Sequence, residues 1–183
     1  MATERRFCRF VRGKDPVSIH EIPRDGFCLS AFLVVSSPKD PDRVLLGHLN
    51  PAAPWDHFGA MTADRVEAHR HGWLLPASQL IYGESPEEAA HRIVREQLGG
   101  LSIALASPTI VSETYAPKRW PNSPKHWDLE FVFRAVVAAL PTPTPTAWRD
   151  LAFVDVRSAR REEFARSHEE ILEGAGFPVA ANA

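Results

Sequence analysis

The stretch from Trp73 to Gly100, WLLPASQLIYGESPEEAAHRIVREQLGG, constrains the fold most, because it carries both ends of a helix and the face that helix must bury. Ser85 is placed to cap the first backbone amides, Pro86 takes the first helical position, where a missing N–H costs nothing, and Glu88 completes an S-x-x-E capping box. The spacing predicts a helix that starts at Pro86 and ends near Leu98, where Gly99 and Gly100 can supply a left-handed stop. Ala90, Val94 and Leu98 recur every fourth residue with Ile93 beside them, an apolar stripe that needs a partner surface. Glu96 and Gln97 follow Ile93 by three and four residues and share part of its face.

The same stretch resembles the Nudix box, G-x5-E-x7-R-E-U-x-E-E-x-G-U, where U is a bulky aliphatic residue. Aligned on Glu84, the residues Ser85 to His91 lead to Arg92, and Ile93, Val94, Arg95, Glu96, Gln97, Leu98 and Gly99 follow without a gap. Ser78 stands at the opening glycine and Ala77 at its usual glycine neighbour, while Ile93 and Gln97 replace the first and third helical glutamates. The resemblance implies a Nudix-type α/β/α sandwich with a mixed central sheet, and magnesium or manganese held against a substrate pyrophosphate by helical glutamates. It further implies Glu96 as principal ligand or base with Glu84 nearby, and Arg92 orienting one of them through a charge-assisted hydrogen bond. Isoleucine offers no oxygen and glutamine only a neutral carbonyl, so the helix keeps one formal negative charge where the family pattern has three.

A chain of 183 residues with 44 % hydrophobic content suits one domain. We expect an N-terminal arm or extra strand over 1–26, a Nudix-like domain over 27–176 with a helical insert at 50–72, and a tail over 177–183. A formal charge of −2 argues against a dominant nucleic-acid surface. The opening MATERRFCRFVRGKDP has no apolar run for a signal or membrane helix, and Cys8 and Cys28 are too few for a disulfide framework or a zinc site. A cytoplasmic protein is the expectation.

FCLSAFLVVS (27–36) reads as a buried strand, SPKDPD as a turn and RVLLGHL (43–49) as the hairpin partner. NPAAPWDHFGAM reads as a loop, and Thr62 begins a short helix, ADRVEAHRH, that either packs Val66 on the sheet or forms a lid. His48, His57, His69 and His71 cluster near this insert, but His69 and His71 are two apart and share no helical face, so surface histidines are favoured over a metal site. LSIALAS and TIVSETYA read as strands, and PKRWPNSPK and PTPTPT as loops.

HWDLEFVFRAVVAAL reads as a strong strand with His126, Asp128 and Glu130 on one face and Trp127, Leu129, Phe131 and Phe133 on the other. The acids are either a water-facing polar edge or, as the resemblance implies, further metal ligands; some Nudix relatives, including isopentenyl-diphosphate isomerases, place an acidic pair on a strand near the helical glutamate. LAFVDV follows as a strand. SARREEFARSHEEILEGAG reads as a closing helix carrying Phe164, Ile171 and Leu172.

Three functions follow. The first is a metal-dependent hydrolase of a nucleoside diphosphate linked to another moiety, weak or unconventional, with Glu96, Arg92 and Glu84 catalytic and Glu96, Asp128 and Glu130 on the metal. The second is a catalytically silent Nudix-fold module that binds a nucleotide or a protein, favoured by Ile93, Gln97 and the backbone restriction at Ala77 and Ser78. The third, diphosphate isomerase chemistry, rests on the strand acids alone. Trp55, Phe58, Tyr82, Trp120 and Trp127 either stack a base or pack. The expected partner is a small phosphate-containing molecule, with a homodimer possible and neither nucleic acid nor membrane.

Overall fold

In the computed structural model, residues 27–115, 126–142 and 144–180 are described. The expectations for the arm, for Cys8 and for PKRWPNSPK therefore lie outside the described residues. Among those described, six strands form one mixed sheet. They are β1 (Phe27–Ser36), β2 (Arg43–Leu49), β3 (Ala77–Gln79), β4 (Thr109–Tyr115), β5 (His126–Val136) and β6 (Trp148–Asp155). The order is β4-β5-β1-β2-β6, with β3 pairing β1 off this path. β1 runs parallel to β5 along its whole length and antiparallel to β2 and β3, and β4 and β6 close the two ends antiparallel.

β1 is apolar on both faces because both faces are covered. Ala31, Leu33 and Val35 point to the side taken by α3 (Pro86–Gln97), where Ala90, Ile93, Val94, Leu98 and Phe133 join them. Phe32 and Val34 point to the opposite side, under α4 (His168–Gly174), with Val132, Phe164, Ile171 and Leu172. This is the expected sandwich of a mixed sheet between helices. A third cluster of Leu49, Trp55, Met61, Val66, Leu74, Trp148 and Ala165 fills one end, beneath α1 (Trp55–Gly59) and α2 (Ala63–His69).

The helix α3 begins and ends where its caps place it. Glu88 N–H donates to Ser85 Oγ at 3.2 Å, Ser85 N–H donates to Glu88 Oε2 at 2.8 Å, and Gly99 and Gly100 carry φ of 65° and 74°. Ser85→Ala removes one half of this box, so the unfolding free energy is expected to fall by about 1 kcal/mol. A urea titration in which Ser85→Ala matches the wild type would show the cap to be idle.

Three expectations are corrected. The loop NPAAPWDHFGAM contains α1, one helical turn pinned by burial of Trp55 and Met61 in the end cluster. LSIALAS is not a strand: Leu101, Ile103 and Leu105 do turn towards the core, but the segment gains a ladder bond only near its end, where Ala106 N–H donates to Arg134 O at 2.9 Å. The closing helix is broken into a 3-10 turn (Arg161–Glu163) and α4. Between them the backbone pairs with Trp73, whose N–H donates to Glu163 O at 2.7 Å and whose carbonyl accepts from Ala165 N–H at 3.0 Å. Arg166 and Ser167 then take positive φ to restart the helix. No helix among the described residues is long and apolar enough to cross a membrane.

Candidate functional site

Arg92 organises the box. Its Nε–H and Nη2–H donate to the two carboxylate oxygens of Glu84, both at 2.7 Å, a fork-on-fork pairing available to a guanidinium and not to an ammonium. Nη1 donates to Ser78 Oγ at 3.1 Å and Nη2 to Gln79 O at 3.0 Å, while Ser78 Oγ donates onward to Gln79 O at 3.0 Å. Glu84 Oε2 also accepts from Ile81 N–H at 3.0 Å. The Arg92 side chain is only 4 % exposed, so this is a buried lattice tying β3, the loop before α3 and α3 itself, not a surface ion pair. Glu96 lies one turn further along with an oxygen 3.9 Å from Arg92 Nη1, and its side chain is partly buried, 19 % exposed.

The other two box positions point inward. Ile93 is fully buried in the core against β1 and β5. Gln97 is also fully buried, and its carboxamide is bonded to backbone on every side: Nε2 donates to Ala77 O at 2.9 Å and Phe58 O at 3.3 Å, and Oε1 accepts from Ala77 N–H at 3.1 Å. Its main-chain carbonyl accepts from Trp148 Nε1–H at 2.7 Å. That indole can lie so close to β2 because residue 47 is glycine; a Cβ there would sit 2.5 Å from Trp148 Cε3. A recess of about 680 Å³ beside the box is lined by Tyr82, Gly83, Glu84, Glu88, His91 and Arg95, the outer side of α3, and includes neither Glu96 nor Gln97.

Asp128 and Glu130 share the sheet face of Val132, so they lie under α4, across the sheet from the stripe of α3. Glu113 pairs with Asp128 in the ladder, and Glu130 sits beside Glu113, Asp128 and Glu170. Glu130 is 5 % exposed and its Oε2 has no hydrogen-bond partner among the described residues. Burial first, then Glu113, Asp128 and Glu170, push its carboxyl up to about 8, with Arg166 pulling the other way. Glu113 is raised by burial and by Glu170, Asp128 and Glu169 in turn. The expectation of a water-facing edge is thus corrected for Glu130, because β4 and α4 enclose that face. Among the described residues no group of three or more His, Cys, Asp or Glu could hold a metal ion, so Glu96, Asp128 and Glu130 do not converge.

Of the histidines near the insert, His48 lies on β2 and not on the insert helix, with its side chain only 15 % exposed. His48 is hydrogen-bonded to Asp150 at 2.6 Å and lies over the Trp73 ring at 3.9 Å. Of the aromatic residues, Trp55 is buried in the end cluster and Tyr82 is largely exposed, while Trp120 lies outside the described residues. A residue that sequence reasoning missed is His168: it is fully buried, burial and then Arg166 hold it neutral, and its Nδ1 accepts from Leu75 N–H at 2.8 Å. No sequence spacing signals that contact, which joins residues 93 positions apart.

The chain belongs to the NUDIX-domain family, whose model matches residues 53–174, about two-thirds of its length. Its fold is that of solved Nudix hydrolases. The MutT protein of Methanosarcina mazei Go1 is 14 % identical, with 84 % of this chain and 93 % of that chain covered and a TM-score of 0.55. The E. coli dihydroneopterin triphosphate pyrophosphohydrolase is 15 % identical, with 82 % and 94 % covered and a TM-score of 0.56. The NUDIX domain of Shewanella oneidensis NrtR, solved with ADP ribose, is 17 % identical, with 81 % and 85 % covered and a TM-score of 0.53. No match was found among curated proteins. The family generally uses divalent metal ions, but the residues on this helix do not fit one: the only carboxylate among its three box positions is Glu96, and the Gln97 amide nitrogen is turned towards the Ala77 and Phe58 carbonyls.

Proposed function

We propose that this NUDIX domain is a binding module for a nucleoside diphosphate linked to another moiety, in which the hydrolytic step has been lost. The observation that carries this reading is the state of the box helix: Ile93 is committed to the core and Gln97 to the backbone, leaving Glu96 alone. The chemistry of pyrophosphate cleavage needs charge neutralised on phosphate and a water activated beside it, and one carboxylate does not assemble both. The ligand class is supported by fold likeness to a NUDIX domain solved with ADP ribose.

A second reading, slow hydrolysis with Glu96 as general base, is favoured by one feature. The Glu84–Arg92 lattice is intact and holds Arg92 beside Glu96, as a positioned base requires. In that reading Arg92 and Glu84 are positioning residues, and Asp128 and Glu130 contribute nothing at the helix.

A panel of nucleoside diphosphate compounds, including ADP ribose, tests both readings when titrated calorimetrically and assayed for product with magnesium or manganese, for the wild type and Glu96→Gln. Saturable binding with no product in either protein is the expected result. Metal-dependent turnover that disappears in Glu96→Gln would replace the binding reading with the hydrolase. Absence of both binding and turnover would reject the pair.

A further inference from the structure

The face of the sheet under α4 gathers acids from three elements. Glu113 on β4 and Asp128 on β5 are direct cross-strand partners, Glu130 follows Asp128 on the same face, and Glu169 and Glu170 on α4 bear on them from above. Glu170 is exposed, Glu113, Asp128 and Glu169 are partly buried, and Glu130 is 5 % exposed, so the acids run from solvent to interior. The inner end is closed: Glu130 pairs with Val111 in the ladder, and α4 packs so tightly there that a Cβ on Gly174 would stand 3.1 Å from Val111 Cγ1.

A surface cluster of acids is ordinarily a solvated face, but two oxygens here are not solvated. Glu130 Oε2 and Glu169 Oε2 are both buried without a hydrogen-bond partner among the described residues. A carboxyl kept for structure recovers the cost of burial through a donor, and these two oxygens do not. Arg166 bears on Glu130 and Arg161 on Glu169, but Arg166 Nη1 donates to Met61 Sδ at 3.3 Å and Arg161 is paired with Glu173. What satisfies such oxygens is a donor, and the surrounding carboxylates favour one that carries positive charge. A metal ion does not fit, since no three of these groups among the described residues could share one. Strand geometry explains why: Glu130 lies roughly 7 Å along β5 from Asp128, and Glu113 about 5 Å across from it. An alkylammonium instead offers three N–H donors on one centre and a methylene stem that can lie along the half-buried Val111.

We propose that the seam between β4, β5 and α4 binds a small aliphatic amine in its protonated form, its ammonium seated on Glu130 with Glu113, Asp128, Glu169 and Glu170 around it. The seam lies across the sheet from the box helix, so the proposal does not rest on how the box is read. A diamine is held better than a monoamine, because its second ammonium reaches the acids nearer the solvent while the first stays on Glu130. Below about 8 the Glu130 carboxyl holds a proton, and an arriving ammonium expels it.

The experiment titrates the full chain calorimetrically with butylammonium and with putrescine, as wild type, Glu130→Gln, Glu169→Gln and the surface control Glu162→Gln. One saturable site is expected in the wild type, tighter for putrescine, weakened at least about tenfold by Glu130→Gln and by Glu169→Gln, and unchanged by Glu162→Gln. Thermal unfolding in the same buffer confirms that Glu130→Gln is folded, so lost binding there is not lost structure. Near neutral pH, in buffers of different ionisation enthalpy, the wild type should release close to one proton per amine bound and Glu130→Gln fewer. Tetramethylammonium carries the charge without an N–H; if it binds as well as butylammonium, the acids act only as a diffuse field and the proposal is overturned. It is overturned equally if no saturable heat appears up to about 10 mM amine, or if Glu130→Gln binds like the wild type. Mn²⁺ bound by the wild type and lost in Glu130→Gln would assign the acids to a metal and overturn it too.

Discussion

Arg92→Ala is expected to unfold roughly 10 °C below the wild type, a loss of about 3–5 kcal/mol, the range for removing one partner of a buried ion pair. The cost is large because four interactions fail together: both oxygens of Glu84, the Ser78 hydroxyl and the Gln79 carbonyl each lose a donor, and the Glu84 carboxyl, with its side chain 13 % exposed, loses the guanidinium beside it. Arg92→Lys restores a charge but not the planar fork, so it should recover only part of the loss. Pairing Arg92→Ala with Glu84→Ala distinguishes lattice from bulk packing: the double variant should be less damaged than the sum of the two singles, because neither charge is then stranded. Strict additivity of the three unfolding free energies would mean that the two side chains do not act as a unit.

Glu130 carries the second large effect, and its sign is opposite to the usual carboxylate case. The folded carboxyl is raised to about 8 by burial and then by Glu113, Asp128 and Glu170, whereas in the unfolded chain it titrates near its ordinary value of 4.5. Between those two values the folded state holds a proton that the unfolded state has released, so stability falls as pH rises through the window and is intact below it. Glu130→Gln keeps the shape and removes the titration. At about pH 8 it should be more stable than the wild type by roughly 2–4 kcal/mol, and at about pH 4.5 the two should coincide. Urea unfolding at several pH values between these checks it. Curves for the two proteins that stay parallel across the range would show that Glu130 finds an ionised state the fold can accommodate.

What the sequence made legible was local. Ser85, Pro86, Glu88 and the glycine pair define the box helix through contacts within a few residues of one another, and β1 and β2 declare themselves by short, mainly apolar runs. The identities of Ile93 and Gln97 also showed that the helix departs from the resembled pattern at two of its three glutamate positions. Their fates were not legible, because Gln97 is satisfied by Ala77 and Phe58, which lie 20 and 39 positions away in the chain. The same holds for α1, which exists because Trp55 packs edge-on against Trp148, and for the break before α4, which follows from bonds to Trp73. Asp128 and Glu130 illustrate the limit most clearly. Alternation put them on one face, but only the sheet order reveals that this face lies under α4 and not beside α3.

The parallel register of β1 with β5 joins Phe27 to Trp127 and Ser36 to Val136, spanning roughly 100 residues of intervening sequence. During synthesis, this apolar strand must therefore wait for roughly 100 further residues to emerge, with one hydrogen-bonding edge still vacant. Closure of so distant a pair is slow relative to a hairpin of the same length, and an unpartnered VVS-terminated strand is a ready template for self-association. Low expression temperature or a chaperone that shields nascent strands should consequently raise soluble yield more than any change made near the box helix.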